Sequence, residues 1–429
     1  MKIVHLGLLA LVCLPRSASA DDPHAEVMAA ADRIAGEVAK LRGLKLRRPI
    51  KRGVMNTKQL EARLLERVHE DYQPEELANE EMAMKRLGLL PVEMSYLDTV
   101  IALLKSQIAG FYDPADRKLY LSEESMGGEE VMAHEIDHAL QDQHFDLKRW
   151  MTAEKKNADA TLARQALVEG DGTVLMLEFA TDKTGAKNPW ADSEFATKSA
   201  GAMRAGMVMM GDVPLALKES LVFPYVNGLK FVAHTRATKP WTAIDAMYKR
   251  PPLSTEQIVH PEKYDTYELP IDVRATKKTP KALPWFAPGY DNTAGEMTLW
   301  LLLVQHGVDQ AVAKEAVTGW GGDHVAVYTA PGVYRRFVAT SVAVLYTVWD
   351  TEPDAVQFEQ ALTTALPSLA PGGAVATPPA GVTQHTTRPG AIVAIERHGS
   401  SVLLVIGPPS TVADALRAEV WQTWTVQRP

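Results

Sequence analysis

Apolar residues recur at three- and four-residue intervals across residues 24–41. The same helical spacing returns at 57–72, 74–87 and 93–105. The N-terminal quarter is therefore expected to be mostly helix. The rhythm then changes, and Gln107-Ile108-Ala109-Gly110-Phe111-Tyr112 and Lys118-Leu119-Tyr120-Leu121 read as two strands of a β-hairpin closed by Asp113-Pro114-Ala115-Asp116. Helical spacing resumes at 129–143, 159–181, 193–210 and 224–238, and breaks around Pro251-Pro252 and Pro261. Past about residue 265 the pattern becomes Thr/Val-rich, with strand candidates at 324–328, 337–349, 391–396 and 402–406. Helices at 294–305, 309–318, 353–366 and 410–418 alternate with them, and 371–381 is a Gly/Pro-rich loop. The expected fold is α+β: a mostly helical unit over 21–265 with a small edge sheet, and a C-terminal α+β domain over 266–429 packed on it.

Length agrees, since 429 residues exceed one ordinary core. Composition, 46% hydrophobic and 23% charged, is that of a globular chain. A formal charge of −8 without a long basic block excludes a nucleic-acid partner. Residues 1–20 change the picture more. Lys2, the apolar stretch from Ile3 to Leu14 and Ala18-Ser19-Ala20 read as a secretory signal cleaved near Ala20. The expectation is an exported chain, periplasmic or extracellular, with 43 basic against 53 acidic residues. Cys13 is the single cysteine and lies inside that segment, so the mature chain has no disulfide and no Cys-ligated metal. No later run is apolar and long enough to span a membrane.

The chemistry concentrates at His134-Glu135-Ile136-Asp137-His138, an HExxH sequence on a predicted helix. At roughly 100° per residue the two histidines leave the same helix face and can share one cation, with Glu135 beside them. A catalytic zinc takes three protein ligands and keeps a fourth position for water, whose proton a neighbouring carboxylate can accept. Two residues compete to be the third ligand. His144 has the ten-residue spacing of the metzincin motif, but Gln141 stands where that motif breaks its helix with glycine. An unbroken helix points His144 about 240° away from His138. Glu169 lies in Leu167-Val168-Glu169-Gly170-Asp171 on the next predicted helix, an apolar stretch where an unpaired carboxylate is costly. A helix antiparallel to the first would deliver it as in gluzincins such as thermolysin, so the expected ligands are His134, His138 and Glu169 on Zn2+, with Glu135 as general base. Asp171 is a candidate partner for a ligand histidine's distal nitrogen, or a surface Asp beside two glycines.

The stretches 109–114, 133–147 and 167–171 resemble a family of secreted bacterial HExxH proteins, largely uncharacterised and treated as gluzincin-like metallopeptidases. The resemblance continues through Phe223-Pro224-Tyr225, 254–264, 319–323 and 349–352, most of the mature chain. It implies a zincin fold with His134, His138 and Glu169 on zinc and Glu135 as base, and supplies no substrate. Asp137 departs from it, where Thr or another neutral residue is expected; the plain reading is an exposed helix charge.

Weaker features complete the picture. The hairpin strands are candidates to bind substrate backbone by strand addition, or simply to cover the core. Tyr225 and His260 are candidate catalytic donors to a developing oxyanion, each with an ordinary structural alternative. Met203, Met207, Met209 and Met210 read as core rather than a peptide groove. Gly319 to Asp323 lacks phosphate-loop spacing and reads as a turn, no GxSxG is present, and the basic run 45–52 reads as solvated surface. Two functions stay open: a zinc peptidase acting on peptides or proteins, and a non-hydrolytic zincin-fold envelope protein whose C-terminal domain binds a partner.

Overall fold

The computed structural model describes residues 23–105, 110–122, 128–154, 156–183, 188–208, 213–332, 337–371, 373–375, 381–386 and 391–429. The signal segment, the first three residues of the expected hairpin and Met209 to Met210 lie outside the described residues. Within them the amphipathic segments become α1 (Pro23–Arg42), α2 (Thr57–Asp71), α3 (Pro74–Arg86), α4 (Tyr96–Lys105), α5 (Glu129–Phe145), α6 (Leu147–Thr152), α7 (Ala158–Asp182), α8 (Ser193–Val208) and α9 (Leu215–Arg236). Short helices α10 (Trp241–Met247), α11 (Thr255–Val259) and α12 (Pro261–Thr266) follow, then α13 (Gly295–Gln305), α14 (Gln310–Val317), α15 (Glu352–Leu369) and α16 (Ser410–Thr423). The strands are β1 (Lys51–Met55), β2 (Gly110–Asp113), β3 (Lys118–Ser122), β4 (Asp272–Arg274), β5 (Ala287–Asn292), β6 (Trp320–Thr329), β7 (Ser341–Trp349), β8 (Ala374–Val375), β9 (Val382–Thr386), β10 (Ala391–His398), β11 (Ser401–Pro409) and β12 (Thr425–Gln427). The architecture is α+β, and no helix among the described residues is long and apolar enough to cross a membrane.

Three departures have local causes. The basic run at 45–52 is not simply solvated surface, because its end forms β1, which pairs parallel with β3. The turn expected at 319–323 shrinks to Gly319 (φ +83°), and β6 starts at Trp320, whose indole donates to Asp323. Helix α9 starts nine residues before the proline that was expected to open it. Pro224 sits inside, among buried Val222, Phe223, Tyr225 and Val226, whose packing outweighs a local cost of about 3 kcal/mol.

The small sheet has the order β1-β3-β2, leaving β2 at an edge. The large one runs β5-β6-β7-β11-β10-β9-β8. Its strands alternate faces. Val325, Val327, Ala343, Leu345, Val402 and Leu404 join the main core, while Ala326, Tyr328, Val342, Val344, Leu403 and Val405 pack beneath Leu416, Val420 and Trp424 of the α16 region. Coverage on both faces explains why every residue of β7 is buried and why Val342 to Tyr346 carry no polar alternation. The main core extends without interruption from Ala31 of α1 to Ile406 of β11. Polar contacts also cross residue 265: Asn292 accepts from the Ala158 N–H (2.7 Å), and Lys263 reaches Asp350 (2.8 Å). A fragment ending at 265 is therefore expected to aggregate or lose metal, because truncation bares the apolar face that α13 and the large sheet cover. A soluble 21–265 fragment that holds zinc and cleaves short peptides, measured by metal content and peptide turnover, contradicts this.

Helices α7 and α9 approach closely enough that only glycine fits between them. A Cβ on Gly170 would come within 2.2 Å of the Gly228 carbonyl oxygen, and one on Gly228 within 2.1 Å of the Ala166 oxygen. Both obstacles are backbone, so Gly228→Ala should force the helices apart. The expected destabilisation is about 1–3 kcal/mol or more, read as a lowered unfolding midpoint.

Candidate metal centre

Glu129 and Glu130 complement the N-terminus of α5, and the helix runs unbroken through Gln141 to Phe145. It ends at Asp146, which takes the left-handed conformation (φ 53°). Along this helix the His134 and His138 rings lie edge to face, centroids 4.5 Å apart. Helix α7 packs against it antiparallel, since His134 meets Gly172 while Gln141, two turns further on, meets Val168. That pairing brings Glu169 between the two rings. Its Oε2 lies 3.3 Å from His134 Nε2 and 3.3 Å from His138 Nε2. Bonds of about 2.0–2.1 Å to a tetrahedral ion imply ligand separations of about 3.3–3.4 Å. The two separations from Glu169 fall in that range, and one ligand atom from each of the three residues lies within 4.8 Å of the others. Gly172 makes room for the first ring, since a Cβ there would reach 2.8 Å from His134 Cε1.

The site is deeply buried: His134, Glu135, His138 and Glu169 are 0, 0, 3 and 1% exposed. Burial opposes a charge on His138, but the Glu169 and Glu135 carboxylates override it and lift the ring to about 10. Burial, then the neighbouring His138 charge, lowers His134 to about 4. Glu169 is held down at about 2 because its contacts with the two rings outweigh burial.

Glu135 faces the centre from the rim. The Tyr112 N–H of β2 donates to its Oε2 (2.8 Å), while Oε1 is buried without a hydrogen-bond partner. Burial pushes this carboxyl up, the His138 ring opposing and the Glu169 charge adding, and a cation held between the ligand atoms would draw it back toward the ionised form that a base needs. Because Tyr112 N–H points to Glu135, away from β3, the outer edge of β2 faces the centre. Tyr112 also donates through its hydroxyl to Asp142 (2.9 Å), which Arg48 pairs at 3.1 Å.

Behind the ligands the sequence expectations need correcting. Asp137 is not an exposed helix charge. It is fully buried, accepts from Gln141 Nε2 (2.9 Å) and lies 4.0 Å from Arg42 Nε. Asp171 does not hold a ligand histidine. Its two oxygens accept from Arg42 Nε and Nη2 (2.9 and 3.0 Å), and Tyr248 donates to it at 2.9 Å. Arg42, the last residue of α1, is wholly buried, bonds Asp245 at 2.7 Å and stacks over Trp241. The residue that holds the His138 ring is Gln141, whose Oε1 lies 2.9 Å from His138 Nδ1. Its three-residue spacing from His138 was visible in the sequence. Arg42 and Tyr112, distant along the chain, gave no such signal.

The remaining candidates separate. Tyr225, on α9, stands at the centre with its ring 6.3 Å from that of His134. His260 is elsewhere: it bonds Glu296 of α13 (3.0 Å) and faces Glu262 (3.6 Å). His144 bonds the Lys45 carbonyl through Nε2 (2.8 Å) and points away from the centre. Met203 and Met207 pack with the core. A second acidic grouping, Glu256, Glu268 and Asp350, has its middle filled by the Lys263 ammonium at 2.6, 2.9 and 2.8 Å.

A family model described as a domain of unknown function, DUF8575, matches residues 286–417, from the start of β5 into α16. The match covers the large sheet and none of the candidate metal ligands. No curated protein and no solved structure matches the chain.

Proposed function

We propose that this chain is an exported zinc-dependent metallopeptidase whose catalytic region is zincin-like, of the gluzincin type, and which hydrolyses bonds in peptide or protein substrates. The observation that carries the reading is the convergence of His134, His138 and Glu169, with Glu169 Oε2 3.3 Å from each Nε2 and the unpartnered Glu135 Oε1 beside them. Zinc held there supplies Lewis acidity that lowers the pKa of water to about 7 and polarises a carbonyl. Glu135 takes a proton at Oε1 from the water that attacks the scissile carbonyl carbon, and returns it to the amine nitrogen as the C–N bond breaks. Tyr112 N–H holds the other carboxylate oxygen and so orients the base. The hydroxyl of Tyr225 is the candidate donor to the oxyanion. An extended substrate strand is expected along the outer edge of β2. His260 has no part in this chemistry.

The burial of all four functional side chains favours a second reading, a non-hydrolytic zincin-fold protein with a structural metal. The unpartnered Glu135 oxygen weighs against it, since a purely structural site has no use for a base at its rim. Zinc stoichiometry together with cleavage of an unbiased peptide library, for the native chain and Glu135→Gln, separates the two. A fully zinc-loaded native chain that cleaves nothing supports the second.

A further inference from the structure

We infer that Gln141 is a positioning residue that fixes the tautomer and orientation of the His138 ring for metal binding; this rests on the metal-centre reading above. The argument begins with the amide itself, which offers two N–H donors on one side and an acceptor on the other. Its Nε2 lies 2.9 Å from Asp137 Oδ2 and 3.3 Å from the Val168 carbonyl oxygen. A backbone carbonyl can only accept, so the NH2 group must face Val168, and Oε1 must face His138 Nδ1 at 2.9 Å. Oε1 can only accept in turn. His138 therefore carries a proton on Nδ1, and its Nε2 is the nitrogen directed at Glu169 Oε2.

Spacing makes the arrangement local. Asp137, His138 and Gln141 occupy adjacent turns of α5, four and three residues apart, where side chains meet on one face. The contacts behind them make it rigid. Val168 is the residue before the ligand Glu169, so one amide ties α5 to the backbone that presents the third ligand. Asp137 lies against Arg42, which Asp171, Asp245 and the Trp241 ring hold in turn. Gln141 is itself fully buried, so no solvent molecule replaces its oxygen readily. The outer partner of a metal-bound histidine is often a carboxylate. Here a neutral oxygen does the work without adding a further negative charge beside Glu135, Asp137 and Glu169.

The test uses the full chain and Co2+ as the probe, whose visible absorption reports coordination geometry. Gln141→Met keeps the volume and removes the oxygen. Gln141→Asn keeps the amide but withdraws it by one methylene, and serves if the methionine variant fails to fold. Each is expected to bind Co2+ about 10- to 100-fold more weakly than the native chain and to show altered absorption bands. Removing the amide also leaves Asp137, the Val168 carbonyl and His138 Nδ1 short of a buried partner, so the metal-free melting temperature of Gln141→Met should fall; the altered bands of a folded variant, which lost stability alone would not move, carry the test. A folded variant that binds Co2+ within about twofold of native, with unchanged bands, overturns the inference and leaves the metal centre standing. A native chain that binds neither Co2+ nor zinc overturns both.

Discussion

Glu135→Gln is expected to keep zinc at one ion per chain and to lose peptide hydrolysis. The substitution preserves side-chain volume, and its amide oxygen can still accept from the Tyr112 N–H that holds Oε2 now, at 2.8 Å. None of the three ligand atoms belongs to Glu135, so affinity should change little. What disappears is the proton acceptor at Oε1. General-base catalysis by a positioned carboxylate is worth roughly 10²- to 10⁴-fold, and here it serves both proton removal from water and delivery to the amine, so the fall in kcat/KM should lie at or beyond the upper figure. Metal content of the dialysed variant and its turnover of a peptide library provide the two readouts. Activity that survives the change would falsify the assignment of Glu135 as base.

Glu169→Ala should produce the largest loss of metal. Its Oε2 is the atom on which both imidazoles converge, and its removal leaves two neutral nitrogens and no protein charge in the inner set. The loss should therefore exceed the roughly 10- to 100-fold that removal of an outer partner costs. His144→Ala supplies the contrast. That ring bonds the Lys45 carbonyl on the far side of α5, so zinc affinity should remain within about twofold. Zinc titration against a competing chelator measures both. Strong loss in His144→Ala with retention in Glu169→Ala would restore the metzincin assignment.

Long elements were legible because their signals are local and redundant. Helix α7 announces itself by apolar spacing over 159–181, and α5 by its periodicity over 129–143. The short strands β1, β4 and β12 carry no such redundancy. They exist because a partner strand supplies their hydrogen bonds: β3 for β1, and β4 and β12 for each other. Asp137 shows the same limit at the site. Its helix position was plain, but burial depends on Arg42, 95 residues earlier, arriving to face it.

By itself, the sequence determined that this chain is an α+β protein with both HExxH histidines on one helix face, because helical periodicity follows from backbone geometry whatever surrounds it. It also favoured Glu169 over His144 as the third ligand, because Gln141 leaves the HExxH helix unbroken. The tertiary structure supplied the distances from Glu169 to the two rings, and it alone decided that His260 bonds Glu296 away from them, that Gln141 and not Asp171 holds His138, and that one core runs past residue 265. These are outcomes of how helices pack. The closeness of α7 to α9, set by Gly170 and Gly228 on separate segments, and the antiparallel seating of α7 on α5 are long-range contacts that no local pattern encodes.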